Sequence, residues 1–159
     1  MTQVWEDSSL ILYRNLINDI SEPYTYTDCR LLQLLLTSAF LNLQNIDFSN
    51  DYTVDLLKSE ITPDPPESSF LSLMVLKAVA LLATSEWKTE ARKAIVVRDG
   101  PSSIDATELV NAKKDYAIRA QEQFDKAVLL HKTGNYNLGI AIVGPGRFDY
   151  VYNTQERFY

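Results

Sequence analysis

Apolar residues recur at three- and four-residue steps along most of the chain, and four stretches hold that period long enough to predict helices. The first is capped by Asp7, Ser8 or Ser9 and runs to about Ile20, with Leu12, Tyr13, Leu16, Ile17 and Ile20 on one face, until Ser21-Glu22-Pro23 breaks it. The second begins at Thr27-Asp28 and aligns Leu32, Leu35, Leu36, Ala39, Phe40 and Leu43, while Leu31, Leu34 and Leu41 widen the face. A face that broad belongs in the middle of a core. The third is capped by Ser68 or Ser69 and carries Phe70, Met74, Ala78, Leu81 and Leu82, extended by Trp87, Ala91 and Ala94. Its stretch from Glu86 to Lys93 is charged and solvated on one side. Asp105-Ala106-Thr107-Glu108 then resembles a capping box for a fourth helix, predicted to be the longest. Leu109, Ala112, Tyr116, Ala120, Phe124, Ala127, Val128 and His131 mark its face, and Lys132 with Gly134 marks its stop.

Between Asp51 and Ile61 the period falls to two, since Tyr52, Val54 and Leu56 alternate with Thr53 and Asp55, and Thr62-Pro63-Asp64-Pro65-Pro66 ends the segment. This predicts a strand and a proline turn. Ile95 to Arg98 reads as a second short strand closed by Asp99-Gly100, and Leu138 to Val143 as a third. The first could pair with either of the others, and the last pairing could also be intermolecular. The expected fold is mainly α with a minor β component (α+β): about four helices, two or three short strands at one end, and an extended C-terminal arm. Residues 1–143 form the helical domain, Gly144-Pro145-Gly146 the hinge, and residues 144–159 the arm.

Composition narrows the classes of function. The 159 residues suit one compact domain, at 46% hydrophobic and 23% charged. The apolar runs Leu31 to Leu43 and Phe70 to Ala83 are interrupted by Gln33, Asn42 and Lys77, so no membrane span is expected. The acidic start, with Glu6 and Asp7, is unlike a signal peptide and points to synthesis in a cytoplasm. A net charge of -6 and a pI near 4.7 argue against tight phosphate binding, though not against DNA passing by an acidic wall.

The chemistry is sparse. Cys29 is the only cysteine, which rules out an intrachain disulfide, and it is expected as a buried inert thiol. His131 is the only imidazole, and its position near a helix end suits a dipole-facing cation or a packing role. With no Gly-x-Ser-x-Gly elbow beside it, no catalytic residue is assigned. One Cys and one His do not make a zinc site. Asp47, Asp51, Asp55, Glu60, Asp64 and Glu67 lack the Asp-x-Asp-x-Asp-Gly order of a calcium loop and read as a solvated acidic surface, so no metal is assigned. Gly139 to Gly146 superficially looks like a phosphate loop. It lacks the Lys-Ser/Thr pair, and Pro145 removes an amide donor, so no nucleotide or other cofactor is expected.

The arm is the segment that a self-contained domain leaves unexplained. Phe148, Tyr150, Tyr152, Phe158 and Tyr159 are interleaved with Asp149, Val151 and Asn153. Aromatics at period two suit an arm that pairs with a partner's sheet edge or fills its pockets, or one that folds back on its own domain.

Several stretches, in order, resemble a family: Phe48-Ser49-Asn50-Asp51-Tyr52-Thr53-Val54-Asp55, Ile61-Thr62-Pro63-Asp64-Pro65, Phe70 to Ala78, Ala94 to Gly100, and Ile104-Asp105. Over roughly residues 26 to 135 the chain is similar to head-tail connector (adaptor, neck) proteins of tailed phages. The resemblance implies a structural, non-enzymatic virion subunit in the neck between capsid and tail. Such subunits form a homo-oligomeric ring, usually of twelve copies, beneath the portal protein and around the DNA channel. It implies that residues 144–159 dock on the portal through Phe148, Tyr150, Tyr152, Phe158 and Tyr159. It also implies that the turn at 62–66 and the Asp99-Gly100 loop face the lumen or a tail-completion or next neck protein. DNA is then only passing cargo, repelled by acidic walls, and no membrane is involved. A tail-terminator or tail-completion protein, or a non-virion interaction module, is the alternative.

Overall fold

The computed structural model describes residues 4–96 and 105–133. Their order is α1 (Val4–Ile17), α2 (Asp28–Leu43), β1 (Thr53–Asp55), β2 (Glu60–Thr62), α3 (Ser68–Val96) and α4 (Asp105–Lys132). The fold is mostly α with a minor β part: among the described residues there are four helices and one two-stranded antiparallel sheet. The third expected strand, at 138–143, lies outside the described residues.

The central element is α3, which touches α1, α2 and α4. By length and composition Ser68–Lys93 is apolar enough to cross a membrane. Here Phe70, Leu73, Met74, Val75, Ala78, Val79, Leu82 and Ala83 are instead buried beneath the other three helices. Glu67 supplies the carbonyl that accepts from Leu71 N–H at 3.0 Å, so Glu67 holds the cap position and Ser68 and Ser69, the expected caps, lie inside the first turn. It does not end there. Ile95 and Val96, expected as a strand, are its last residues, because continuing the helical hydrogen-bond ladder outweighs the weak β preference of two branched side chains. At 29 residues α3 is therefore longer than the 28-residue α4, the reverse of expectation.

Helix α1 starts three residues before the expected caps, which places Trp5 and Ser9 inside the protein with Tyr13. It stops three residues early, at a left-handed Asn18 (φ 58°). Asn18 N–H donates to Asn15 O at 3.3 Å and Asp19 N–H to Arg14 O at 2.9 Å, the paired bonds of a Schellman cap. Ile20, expected on the apolar face, lies past this cap and is 60% exposed.

The buried line of α2 is Leu31, Leu35, Leu36, Ser38, Ala39 and Asn42, rotated from the expected face, so that Phe40 is 41% exposed. Ser38 fits in the core because its hydroxyl meets Leu35 O and Met74 O, each at 2.7 Å. Cys29 sits in the first turn, away from that line, and is exposed rather than buried.

Candidate partner-contact surface

Residues 51–61, expected as one strand, form a hairpin. Thr53 pairs with Thr62, Val54 with Ile61 and Asp55 with Glu60. Asp55 makes the reversal: its Oδ1 accepts the N–H of Leu57 at 2.9 Å and of Lys58 at 3.1 Å. Ser59 completes the turn at φ 58°. The Lys58 N–H, followed by that of Leu57 and the Lys58 charge, holds the Asp55 carboxyl below the usual carboxylate range.

The hairpin has a fixed base and a bare tip. Ile61 is buried and Val54 half-buried, so one face of the pair meets the core. Behind it the Tyr52 ring stacks on Phe70 at 4.2 Å and 25°. Phe48 packs edge-on against both rings, at 5.8 and 5.0 Å. Tyr52 Oη accepts the N–H of Glu67 at 3.0 Å, and Asn50 bonds the Glu67 carboxylate, tying the proline turn to the hairpin's root. Cis peptide bonds precede Pro63 and Pro65, and Pro66 is buried. At the tip Leu56 is 48% exposed and Leu57 98%.

His131 belongs to the same end. Its ring lies 5.2 Å from Phe48, with Nε2 3.2 Å from Asp47 O, and it is buried. This is a packing position that holds the end of α4 against the chain entering β1. Around the hairpin Asp47, Asp51, Glu60, Asp64 and Glu67 are exposed, and no three acidic, Cys or His side chains converge on a metal-sized site among the described residues.

A second fixed corner lies between α1 and α2. The Asp19 carboxylate, 6% exposed, accepts from Arg14 Nη1 at 2.8 Å, Thr25 N at 2.8 Å and Tyr26 N at 3.2 Å. Arg14 Nη2 reaches Tyr26 O at 3.0 Å and Asp28 Oδ1 at 2.5 Å, and its guanidinium lies 3.8 Å from the centre of the Tyr24 ring. The bond to Asp28 holds the Arg14 pKa above its ordinary value.

Beyond this corner α3 and α4 share a shallow cleft of about 240 Å³ lined by Tyr26, Arg30, Glu86, Thr89, Glu90 and Lys113. Its carboxylates are already engaged. Tyr26 bonds Glu86, and Lys113 lies 3.5 Å from Glu86 and 3.8 Å from Glu90. The hydrogen bond from Lys93, with the nearby charges of Lys93 and Lys113, keeps the Glu90 carboxyl below its usual range.

Of the residues singled out in the sequence, the turn at 62–66 and His131 come together at the hairpin end. Phe148, Tyr150, Tyr152, Phe158, Tyr159, the hinge Gly144-Pro145-Gly146 and the Asp99-Gly100 loop lie outside the described residues. Sequence reasoning missed Leu57 as a protruding residue and Arg14–Asp19 as a clasp. An aspartate two residues before Leu57 was the available signal for the first, and the five-residue Arg-to-Asp spacing across an Asn for the second. No family model, no curated protein and no solved structure matches the chain.

Proposed function

We propose that this chain is a structural subunit of a tailed-phage neck, a head-tail connector that assembles as a ring between the portal and the next neck or tail-completion protein. The observation that carries the reading is the spread of exposed large apolar residues over separate elements: Ile11 on α1, Phe40 on α2, Leu57 at the hairpin tip, and Leu109 and Leu129 on α4. A subunit with neighbours on several sides needs apolar contact residues on several sides. The family in this reading is the one that the stretches between residues 26 and 135 resemble. The net charge of -6 suits a wall past which DNA slides without sticking. In this reading the aromatic arm at 144–159 docks on the portal, and the subunit acts by shape and contact rather than by chemistry.

The test is the ratio of this chain to the portal protein in purified particles, by quantitative mass spectrometry. A ratio near one to one supports a neck ring. Absence from the particle rejects the virion reading and favours a non-virion interaction module.

A further inference from the structure

The hairpin leaves one edge of its sheet open. Helix α2 packs against β1, whereas β2 has β1 as its only backbone neighbour among the described elements. Apart from that pairing, no backbone hydrogen bond reaches residues 60–62 among the described residues. Ile61, the middle residue of β2, is nevertheless 1% exposed, so the strand's inner face is sealed in the core while its outer edge is not. Two short strands alone make a marginal sheet, and an open edge is a template for a third.

Two segments outside the hairpin have strand-like sequence, and the helices separate them. Ile95 and Val96 lie in the last turn of α3, whose first turn is the one that β2 feeds through the proline turn. At 1.5 Å per residue that puts them about 43 Å from the hairpin's root. Residues 138–143 instead follow α4, whose last turn is fixed at the root. His131 Nε2 lies 3.2 Å from Asp47 O, its ring is 5.2 Å from Phe48, and Phe48 is 5.8 Å from Tyr52, the residue before β1. From Thr133 to Leu138 the chain can span about 17 Å. That reaches the Thr53–Thr62 pair at the root, and a strand continuing from there toward the tip runs antiparallel to β2. Along such a strand Ile140 and Ile142 share one side and Gly139 and Ala141 the other. The branched pair suits the inner face of Val54 and Ile61, and the small pair the exposed side of Glu60 and Thr62. The segment carries no charge to repel Glu60, and Pro145, which lacks an amide donor, ends it.

We infer that residues 138–143 dock on the open edge of β2 in their own chain as a third strand. A tether of four residues gives the segment an effective concentration of about millimolar at that edge, so it displaces the same segment from a second copy. The main-chain ladder supplies the attraction, and the alternation of large and small side chains sets the face. Docked in this way, the strand delivers Gly144-Pro145-Gly146 to the tip, and the aromatic arm leaves beside Leu56 and Leu57 as one contact face. The consequence for the arm rests on the neck reading, whereas the strand pairing does not.

Amide hydrogen exchange of the full chain, read by residue, is the first test. Alternate amides among residues 139–143 exchange at least about tenfold more slowly than in an unstructured chain, and the protection is unchanged by about hundredfold dilution. Cross-linking then identifies the partner. In a Cys29→Ser background, Ala141→Cys is combined with Glu60→Cys or with Thr62→Cys, the outward residues of β2. With the inner faces matched, Ala141 lies opposite one of these two, within disulfide reach. One of the two chains closes an intrachain disulfide on mild oxidation, and Ala141→Cys with Glu122→Cys, on exposed mid-α4, does not. Fast exchange throughout residues 139–143, protection that fades on dilution, or disulfides that form in neither chain or only between chains overturns the inference. None of these results bears on whether the chain is present in particles, which the copy-number measurement decides separately.

Discussion

Removing the Asp19 carboxylate opens the corner between α1 and α2, and its cost follows from its partners. Asp19→Ala leaves the N–H groups of Thr25 and Tyr26 without their acceptor and takes one of two carboxylates from an Arg14 side chain that is 11% exposed. Hydrogen bonds to a charged group contribute about 1.5–3 kcal/mol each, and breaking a buried ion pair from one side costs about 3–5 kcal/mol. Arg14 keeps Asp28 and Tyr26 O, and the loop is only partly buried, which brings the expected loss to about 2–4 kcal/mol. That is a large share of the roughly 5–15 kcal/mol that holds a domain together. In urea, with a slope of about 2 kcal/mol per molar, the midpoint falls by about 1–2 M at unchanged slope. Asp19→Asn keeps the shape and one acceptor and loses about half as much. Glu122→Ala, exposed in mid-α4, stays within about 0.5 kcal/mol and serves as the control. A midpoint for Asp19→Ala indistinguishable from that control refutes the view that this clasp sets the corner.

Phe70→Ala removes the ring on which Tyr52 stacks and Phe48 leans and costs about 3–5 kcal/mol by thermal or urea unfolding. Tyr13→Phe deletes the 2.8 Å bond to Ala78 O and costs about 1 kcal/mol at neutral pH. Burial first, then Tyr116 and Glu86, push the Tyr13 pKa well above its ordinary value, so the folded state resists ionisation of this phenol. Its contribution is constant below the unfolded pKa of about 10 and is lost as pH rises above it, and Tyr13→Phe flattens that alkaline decline in unfolding measurements. The Asp55 carboxyl titrates below the ordinary aspartate value of about 3.9 in a carbon-detected NMR titration, so its turn persists through mild acid and loosens only as pH falls through the lowered pKa. A midpoint at or above the ordinary value contradicts its role in closing the hairpin.

The four helices were legible because burial demands an apolar period that few other constraints disturb, but each departure has a local cause. Leucine crowds α2 so densely that several faces look equally apolar. The choice among them is made by Ser38 and Asn42, polar residues that reach the core, Ser38 with its hydroxyl satisfied by helix carbonyls. No apolar run before Asp7 marks the start of α1 in the sequence, whereas burial of Trp5 secures an extra turn. The hairpin reads as one strand in the sequence because Leu56-Leu57-Lys58-Ser59 contains none of the glycine or asparagine that usually marks a reversal. Asp55 supplies the turn through its side chain, and Ser59 accepts the left-handed geometry. Isoleucine and valine at 95–96 read as a strand because their intrinsic β preference is local, and it is weaker than the continuation of an established helix. The candidate contact surface was half legible. Its proline turn and acidic surround stand in the sequence, but the exposure of Leu57 depends on where the chain reverses.

Two corners of the fold that are fixed by rings and ion pairs also expose apolar side chains. Leu57 projects from a hairpin whose base is gripped by Tyr52 and Phe70, and Ile20 and Tyr24 project from a loop closed by Arg14 and Asp19. An apolar side chain on a pre-ordered turn loses less conformational freedom on binding than one on a loose loop, so more of its burial appears as affinity. Stability and contact should therefore be coupled at these corners but not at their tips. Leu57→Ala weakens association and leaves the unfolding midpoint alone, whereas Phe70→Ala weakens both. If the base variant, at a temperature where it remains folded, associates as well as wild type, the leucines bind without help from the aromatic base, and the hairpin's stiffness has no part in assembly.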